Sequence, residues 1–153
     1  MSVRVRLEHW PLVVIVVDES LERHELPELE RQIDAVYARK ERFATLADGS
    51  RVARMPDAST RKRLAEWQNE TRGSIARYNV LSATVVTSSL VRGAMTAMNW
   101  IFQPPNRQIT VATFAEALAA CLDALRAEGL TLPAGLEQPS RPLPQKARDL
   151  FAD

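Results

Sequence analysis

Residues 12–17, Leu-Val-Val-Ile-Val-Val, form an unbroken aliphatic run carrying neither charge nor hydrogen-bonding side chains. Alternate side chains of a strand point to opposite faces, so a run without polar positions reads as a central strand covered more fully than its neighbours. At six residues it is far too short to span a membrane. The stretch before it behaves differently: Val3, Val5 and Leu7 alternate with Arg4, Arg6 and Glu8. That period of two predicts a strand with one solvated face, joined to the next through His9-Trp10-Pro11 as a hairpin.

Beyond the aliphatic run the pattern alternates. Leu26, Leu29, Ile33, Val36 and Tyr37 recur at helical spacing, with Pro27 in the first turn, where its missing N–H costs nothing. A strand from Phe43 to Ala47 ends at the turn signal Asp48-Gly49. After a basic loop, Leu64, Trp67, Thr71, Ile75 and Tyr78 predict a second helix, with Asp57, Ser59 or Thr60 available as N-cap and Gly73 weakening its last third. Residues 80–87 read as a fourth strand. Ser88 or Ser89 then caps a third helix that runs to about Phe102 and is stopped by Gln103-Pro104-Pro105. A short strand, Gln108 to Ala112, leads through the cap Thr113 into a last helix, Phe114 to Glu128, with Glu116 placed to complete a capping box.

This order predicts an α/β fold: a mixed five-stranded sheet, its first two strands a hairpin and the rest parallel, with four helices mostly on one face. A doubly wound sheet with helices on both sides is the alternative. Residues 1–128 form the expected domain. Residues 129–153, with Pro133, Pro139, Pro142 and Pro144, read as a flexible tail in which only Ala147, Leu150 and Phe151 suggest a short apolar face.

Charge narrows the function. With 20 basic and 19 acidic side chains the net charge is +1, and the basic residues form no stripe, which disfavours nucleic acid as a partner. The N-terminus lacks the layout of a signal peptide, so a cytoplasmic protein without a membrane span is expected. The single cysteine, Cys121, excludes an internal disulfide and reads as a core residue. His9 and His24 lie near no plausible nucleophile, and no glycine-rich phosphate loop occurs. Asp18, Asp48 and Ser88 each follow a strand and could share one crevice, as in a phospho-receiver or a magnesium-dependent phosphotransferase. Against this, only one aspartate follows the aliphatic strand, and the strand QITVA ends without a lysine. The expectation is a non-enzyme without metal or cofactor.

The third helix is the most informative element. Its polar positions, Arg92, Thr96, Asn99 and Gln103, make one narrow stripe, and the remainder is apolar or small. A helix on a single sheet needs an apolar face only about 100° wide. The surplus, including Val91, Met95, Met98, Trp100 and Phe102, is the expected interface for a protein partner or a homodimer.

Four stretches together resemble the STAS domain, in its SpoIIAA-like branch, which shares its fold with SEC14-type lipid-transfer domains. These are ATLADGS, STRKRLAEWQNE, ATVVTSSLVRG and ITVATFAEALAACLDAL, within residues 3–128. The resemblance implies a non-catalytic module that binds a protein partner, in some members under control of serine phosphorylation; the SEC14 kinship adds an apolar ligand beneath the third helix as another reading. The family's phospho-acceptor lies in an Asp-Ser-(Ser/Thr)-Gly motif at the start of the helix after the third strand. The matching segment is Asp57-Ala58-Ser59-Thr60, which lacks the glycine and follows a longer loop. Ser59, with Thr60 beside it, inherits that role from the resemblance, while a plain helix cap is the competing reading.

Overall fold

The computed structural model describes residues 2–136, with the side chains of residues 98–102 outside that description. Five strands form one sheet in chain order: β1 Val3–Arg6, β2 Leu12–Val17, β3 Phe43–Asp48, β4 Asn79–Val85 and β5 Gln108–Val111. β1 pairs antiparallel with β2, opposing Val3 to Val17, and every later pair is parallel. The expected mixed sheet, with its leading hairpin, is therefore present.

The aliphatic run of β2 is buried because its two faces feed two different cores. Leu12 and Val14 point to one side, with Ala44, Leu46, Leu81, Ala83 and Val85 from β3 and β4. Val13 points to the other, with Val3 and Phe43. Helix α1, Leu26–Tyr37, covers this second face with Leu26, Leu29, Ile33, Val36 and Tyr37, the five positions its spacing marks. The predicted second helix is two: α2, Ala58–Glu70, and α3, Arg72–Tyr78, which meet at Thr71. The Thr71 hydroxyl bonds back to the Trp67 carbonyl at 2.8 Å, and Gly73 follows, so local competition and low propensity coincide at the break. α3 contributes the buried Ile75, and α2 packs the partly buried Leu64 and Trp67 against the same core while polar contacts tie it to α1. Arg63 donates two 2.8 Å bonds to Glu30, and the Trp67 indole donates to Asp34 at 3.1 Å. Arg63 also lies 3.9 Å from Glu66 and 3.2 Å from Glu70 on its own helix.

The first face is covered by the last helix, α5, Phe114–Ala127, which buries Phe114, Ala117, Leu118, Cys121, Leu122 and Leu125. Each large aliphatic side chain so buried contributes about 2 kcal/mol of transfer free energy. The helices on α1's face outnumber those on the reverse, where α5 stands. Thr113 caps α5 by accepting from the Glu116 amide at 3.2 Å. Thr113→Ala is expected to cost about 1 kcal/mol, read as a lowered midpoint in urea with an unchanged slope.

α5 ends at a left-handed glycine, Gly129, with φ of 69°. The Leu130 amide reaches back to the Leu125 carbonyl at 3.0 Å, a Schellman closure that a residue with a Cβ adopts only under strain. This turn lays Leu130, Leu132 and Leu136 against the first core. The opening residues of the expected tail are thus packed; the remainder, 137–153, including Ala147, Leu150 and Phe151, lies outside the described residues.

Candidate functional site

The parallel strands β2, β3 and β4 release their chains at one edge of the sheet, and the sequence-marked residues gather there. Asp18, just past β2, lies 3.5 Å from both Arg4 and Arg51, in ion pairs at a partly exposed site. Asp48 ends β3, opposite Val16 on one side and Val85 on the other, and is only 4% exposed. Its carboxylate accepts the Ser50 amide at 3.1 Å, which folds the chain into a turn. Gly49 is required within that turn: its amide donates to the Val85 carbonyl, and a Cβ would stand 3.0 Å from the same oxygen. Ser88 accepts from the Val91 amide at 3.3 Å, which makes it the cap of α4, Ser89–Phe102. All three members of the phosphoryl-transfer set therefore have structural partners. Among the described residues no group of three or more His, Cys, Asp or Glu is placed to hold a metal ion.

The basic loop between β3 and α2 is stitched to both neighbouring strand exits. Ala53 donates to the Glu19 carbonyl at 3.2 Å, Arg54 reaches Glu22 at 3.1 Å, and the Thr87 hydroxyl lies 3.5 Å from the Ser50 carbonyl. Of the three candidate caps for α2, Asp57 is the one used: its carboxylate accepts the Thr60 amide at 2.7 Å. That backbone bond, the largest influence, holds the Asp57 carboxyl below its ordinary range. Ser59 is exposed, and Arg23 donates to its carbonyl at 3.0 Å and to its hydroxyl at 3.3 Å. Thr60 is 1% exposed, so its hydroxyl is closed to a modifying enzyme while that of Ser59 is open.

α4 is attached chiefly to β5 at the sheet's edge. Arg92, the one charged residue on this helix, turns back to donate to the carbonyls of Val86 at 2.7 Å and Thr87 at 2.9 Å. Its charge thus satisfies the end of β4 rather than solvating the helix. What faces outward on the first three turns is mainly small or apolar: Leu90 is 83% exposed, and Gly93, Ala94 and Ala97 are exposed with it. Val91 and Met95, expected at an interface, are half-buried. Met98, Trp100 and Phe102 lie outside the described side chains.

Sequence reasoning missed a polar seam beneath the outer half of the sheet. Asn79 donates to the Thr45 hydroxyl at 3.2 Å and toward the Tyr37 hydroxyl at 3.4 Å. Nearer β5, Asn106 donates to Ser82 at 3.1 Å and accepts from Gln108 at 3.2 Å. Burial, the dominant influence, pushes the Tyr37 phenol up from its ordinary value. The readable signal was the alternation of Ser82 and Thr84 with Leu81, Ala83 and Val85 along β4. Cys121 is fully buried, as its neighbours implied, and desolvation pushes its thiol up to about 12. It is thereby kept from thiolate chemistry.

No helix among the described residues is long and apolar enough to cross a membrane. No protein-family model matches the chain, and no curated protein does. Among solved structures, the chain is similar to an uncharacterized protein of the DUF3478 family with a SpoIIAA-like fold from Shewanella loihica PV-4. The match has a TM-score of 0.58 at 11% identity, covering 72% of this chain and 83% of the other. The hairpin-led sheet, the strand order and this likeness agree: the chain has a SpoIIAA-like fold.

Proposed function

We propose that this domain is a non-catalytic interaction module of STAS type that binds a protein partner, or a second copy of itself, through the outer face of α4. The observation that carries this reading is Leu90, 83% exposed at the start of a helix whose next outward positions are Gly93, Ala94 and Ala97. Small residues let another backbone approach closely, and a large aliphatic side chain beside them supplies an anchor. The loop that leads to Ser59 meets the exit of β4 through Thr87 and Ser50, and the resemblance to the STAS domain supports Ser59 as the regulatory position. A phosphate on Ser59 would meet Arg23 directly and lie at the positive end of α2.

A photo-crosslinking residue placed at position 94 tests the proposal in cells of the source organism. One discrete crosslinked product is expected. Leu90→Asp should reduce its yield at least tenfold while leaving the urea midpoint within about 0.5 kcal/mol of the parent, since the side chain is already solvated. Ser59→Glu should shift the yield several-fold. Absence of any product, or a product indifferent to Leu90→Asp, would remove α4 as the contact surface.

A further inference from the structure

The amino ends of three parallel strands meet a groove of about 620 Å³, a size typical of small-molecule sites. Each strand delivers part of it: Trp10 and Pro11 precede β2, residues 40–42 precede β3, and Arg77 and Tyr78 precede β4. The remaining wall is residues 130–134, laid alongside by the Schellman turn at Gly129.

Trp10, Tyr78, Leu132 and Pro133 make the lining aromatic and apolar, while most of the charge around it is positive. Arg39 lies 4.4 Å over the Trp10 ring, and Arg77 lies 5.6 Å over the Tyr78 ring. Lys40 stands beside them in the connection from α1 to β3. Among the described residues none of these three side chains has a hydrogen bond or a carboxylate partner. Arg42, by contrast, is paired with Glu128, and Glu41 is the one acid of the lining left to oppose them. Three cations against one carboxylate leave an excess of two positive charges. Stacking on an aromatic face orients a guanidinium but leaves its in-plane N–H donors unused, ready for a carboxylate or phosphate.

Lys40 adds a second observation. It occupies the left-handed region, with φ of 54°, and its amide closes α1 by donating to the Tyr37 carbonyl at 3.0 Å. Glycine takes that conformation without strain, so for the turn alone a lysine is the poorer residue. What it supplies that glycine lacks is an ammonium at the groove's lip.

We propose that the Trp10–Tyr78 groove binds a small aromatic dianion, its ring system against Trp10, Tyr78 and Leu132 and its acidic groups held by Lys40, Arg77 and Arg39. Aryl phosphates and aryl dicarboxylates share this chemistry, since guanidinium forks and an ammonium serve either. The inference owes nothing to the α4 reading, because the groove lies at the opposite end of the strands from Leu90.

Titration of the full chain, followed by amide and indole resonances in two-dimensional NMR, tests it with naphthyl phosphate, naphthalene dicarboxylate, naphthol and inorganic phosphate. At least one of the two dianions is expected to move the Trp10 indole and the amides of residues 39–42, 77–78 and 130–134 saturably, with a dissociation constant on the order of 0.1 mM. The tighter of the two identifies the acidic group. Naphthol, which has the ring without the charge, and inorganic phosphate, which has the charge without the ring, should each bind at least about tenfold more weakly. Lys40→Gly should weaken the dianion about fivefold while keeping or raising the urea midpoint, because it relieves the turn. Arg77→Gln, at an exposed position of α3, should weaken it similarly with unchanged circular dichroism. Naphthol binding as tightly as the dianions would overturn the proposal, as would dianion shifts that ignore both substitutions or fall on other surfaces. So would the absence of saturable shifts up to about 5 mM. Groove resonances that move with protein concentration alone would assign the surface to a second copy, and would overturn it too.

Discussion

Replacing Phe43 by alanine is expected to destabilise the protein by about 4 kcal/mol, the largest effect of any single truncation considered. Phe43 opens β3 and is 1% exposed. Its ring lies 5.3 Å from that of Tyr37 on α1 and 5.7 Å from that of Trp10 in the β1–β2 connection, both tilted. It thus joins three chain segments at one point, and the void left by alanine has no flexible neighbour to fill it: Tyr37 is fixed by Asn79, and Trp10 by Arg39 above it. Such a loss lowers the melting temperature by roughly 12 °C in a chain of this length. Phe43→Leu, which keeps most of the volume, should cost about a third as much. Urea unfolding followed by circular dichroism measures both. A cost below about 1 kcal/mol for the alanine would show that this cluster is not the packed junction described.

The second large effect concerns charge. Glu25, in the 3-10 turn Arg23–Glu25 before α1, is only 5% exposed, yet it accepts hydrogen bonds from three donors. These are the Ser2 amide at 2.7 Å, the Ser2 hydroxyl and the Glu22 amide at 3.3 Å. Burial is the largest single influence and pushes its pKa upward; the bonds from Ser2 and Glu22 together outweigh it, and the net result lies below the ordinary 4.5. The carboxylate thus pins the start of β1 to the start of α1. Glu25→Ala strands those donors and is expected to cost about 2 kcal/mol. Because the folded value is depressed, the stabilisation is complete above pH 4.5 and is lost as pH falls through the folded value. The stability of the parent should therefore decline more steeply than that of Glu25→Gln below that pH. Parallel curves from pH 6 to pH 3 would show that the ionised carboxylate contributes nothing specific.

Why some features were legible in the sequence and others were not follows from the range of the interactions that set them. The α1 stripe and the β2 run declare themselves, because their burial is periodic along the chain and each position answers to one neighbouring layer. The division of α2 from α3 was only half visible, through Gly73, since the Thr71 back-bond depends on where Ile75 must sit against the sheet. The packing of Leu130, Leu132 and Leu136 was hidden by the prolines around them; Gly129 was the readable signal that the chain reverses there. At the site, Asp18, Asp48 and Ser88 were rightly placed at strand exits, but a sequence cannot show that arginines and backbone amides already occupy them. Thr60 and Ser59 are adjacent in the chain and opposite in exposure, a distinction that requires knowing which side of α2 faces inward. The surface of α4 was legible in kind, since its shortage of polar positions is a count, though the inward turn of Arg92 was not.

The strictly sequential strand order carries a consequence for how the chain emerges from the ribosome. Each new strand finds its partner already made, so the sheet can assemble as it is synthesised, with α1 and α3 covering one side along the way. The reverse side, with Leu12, Val14, Leu46, Leu81 and Val85, has no lid until Phe114 through Leu125 arrive near the end. Throughout that interval a finished sheet offers the cell one bare greasy plane. A stalled or truncated message ending before α5 is thus a more hazardous product than one ending anywhere upstream of β3.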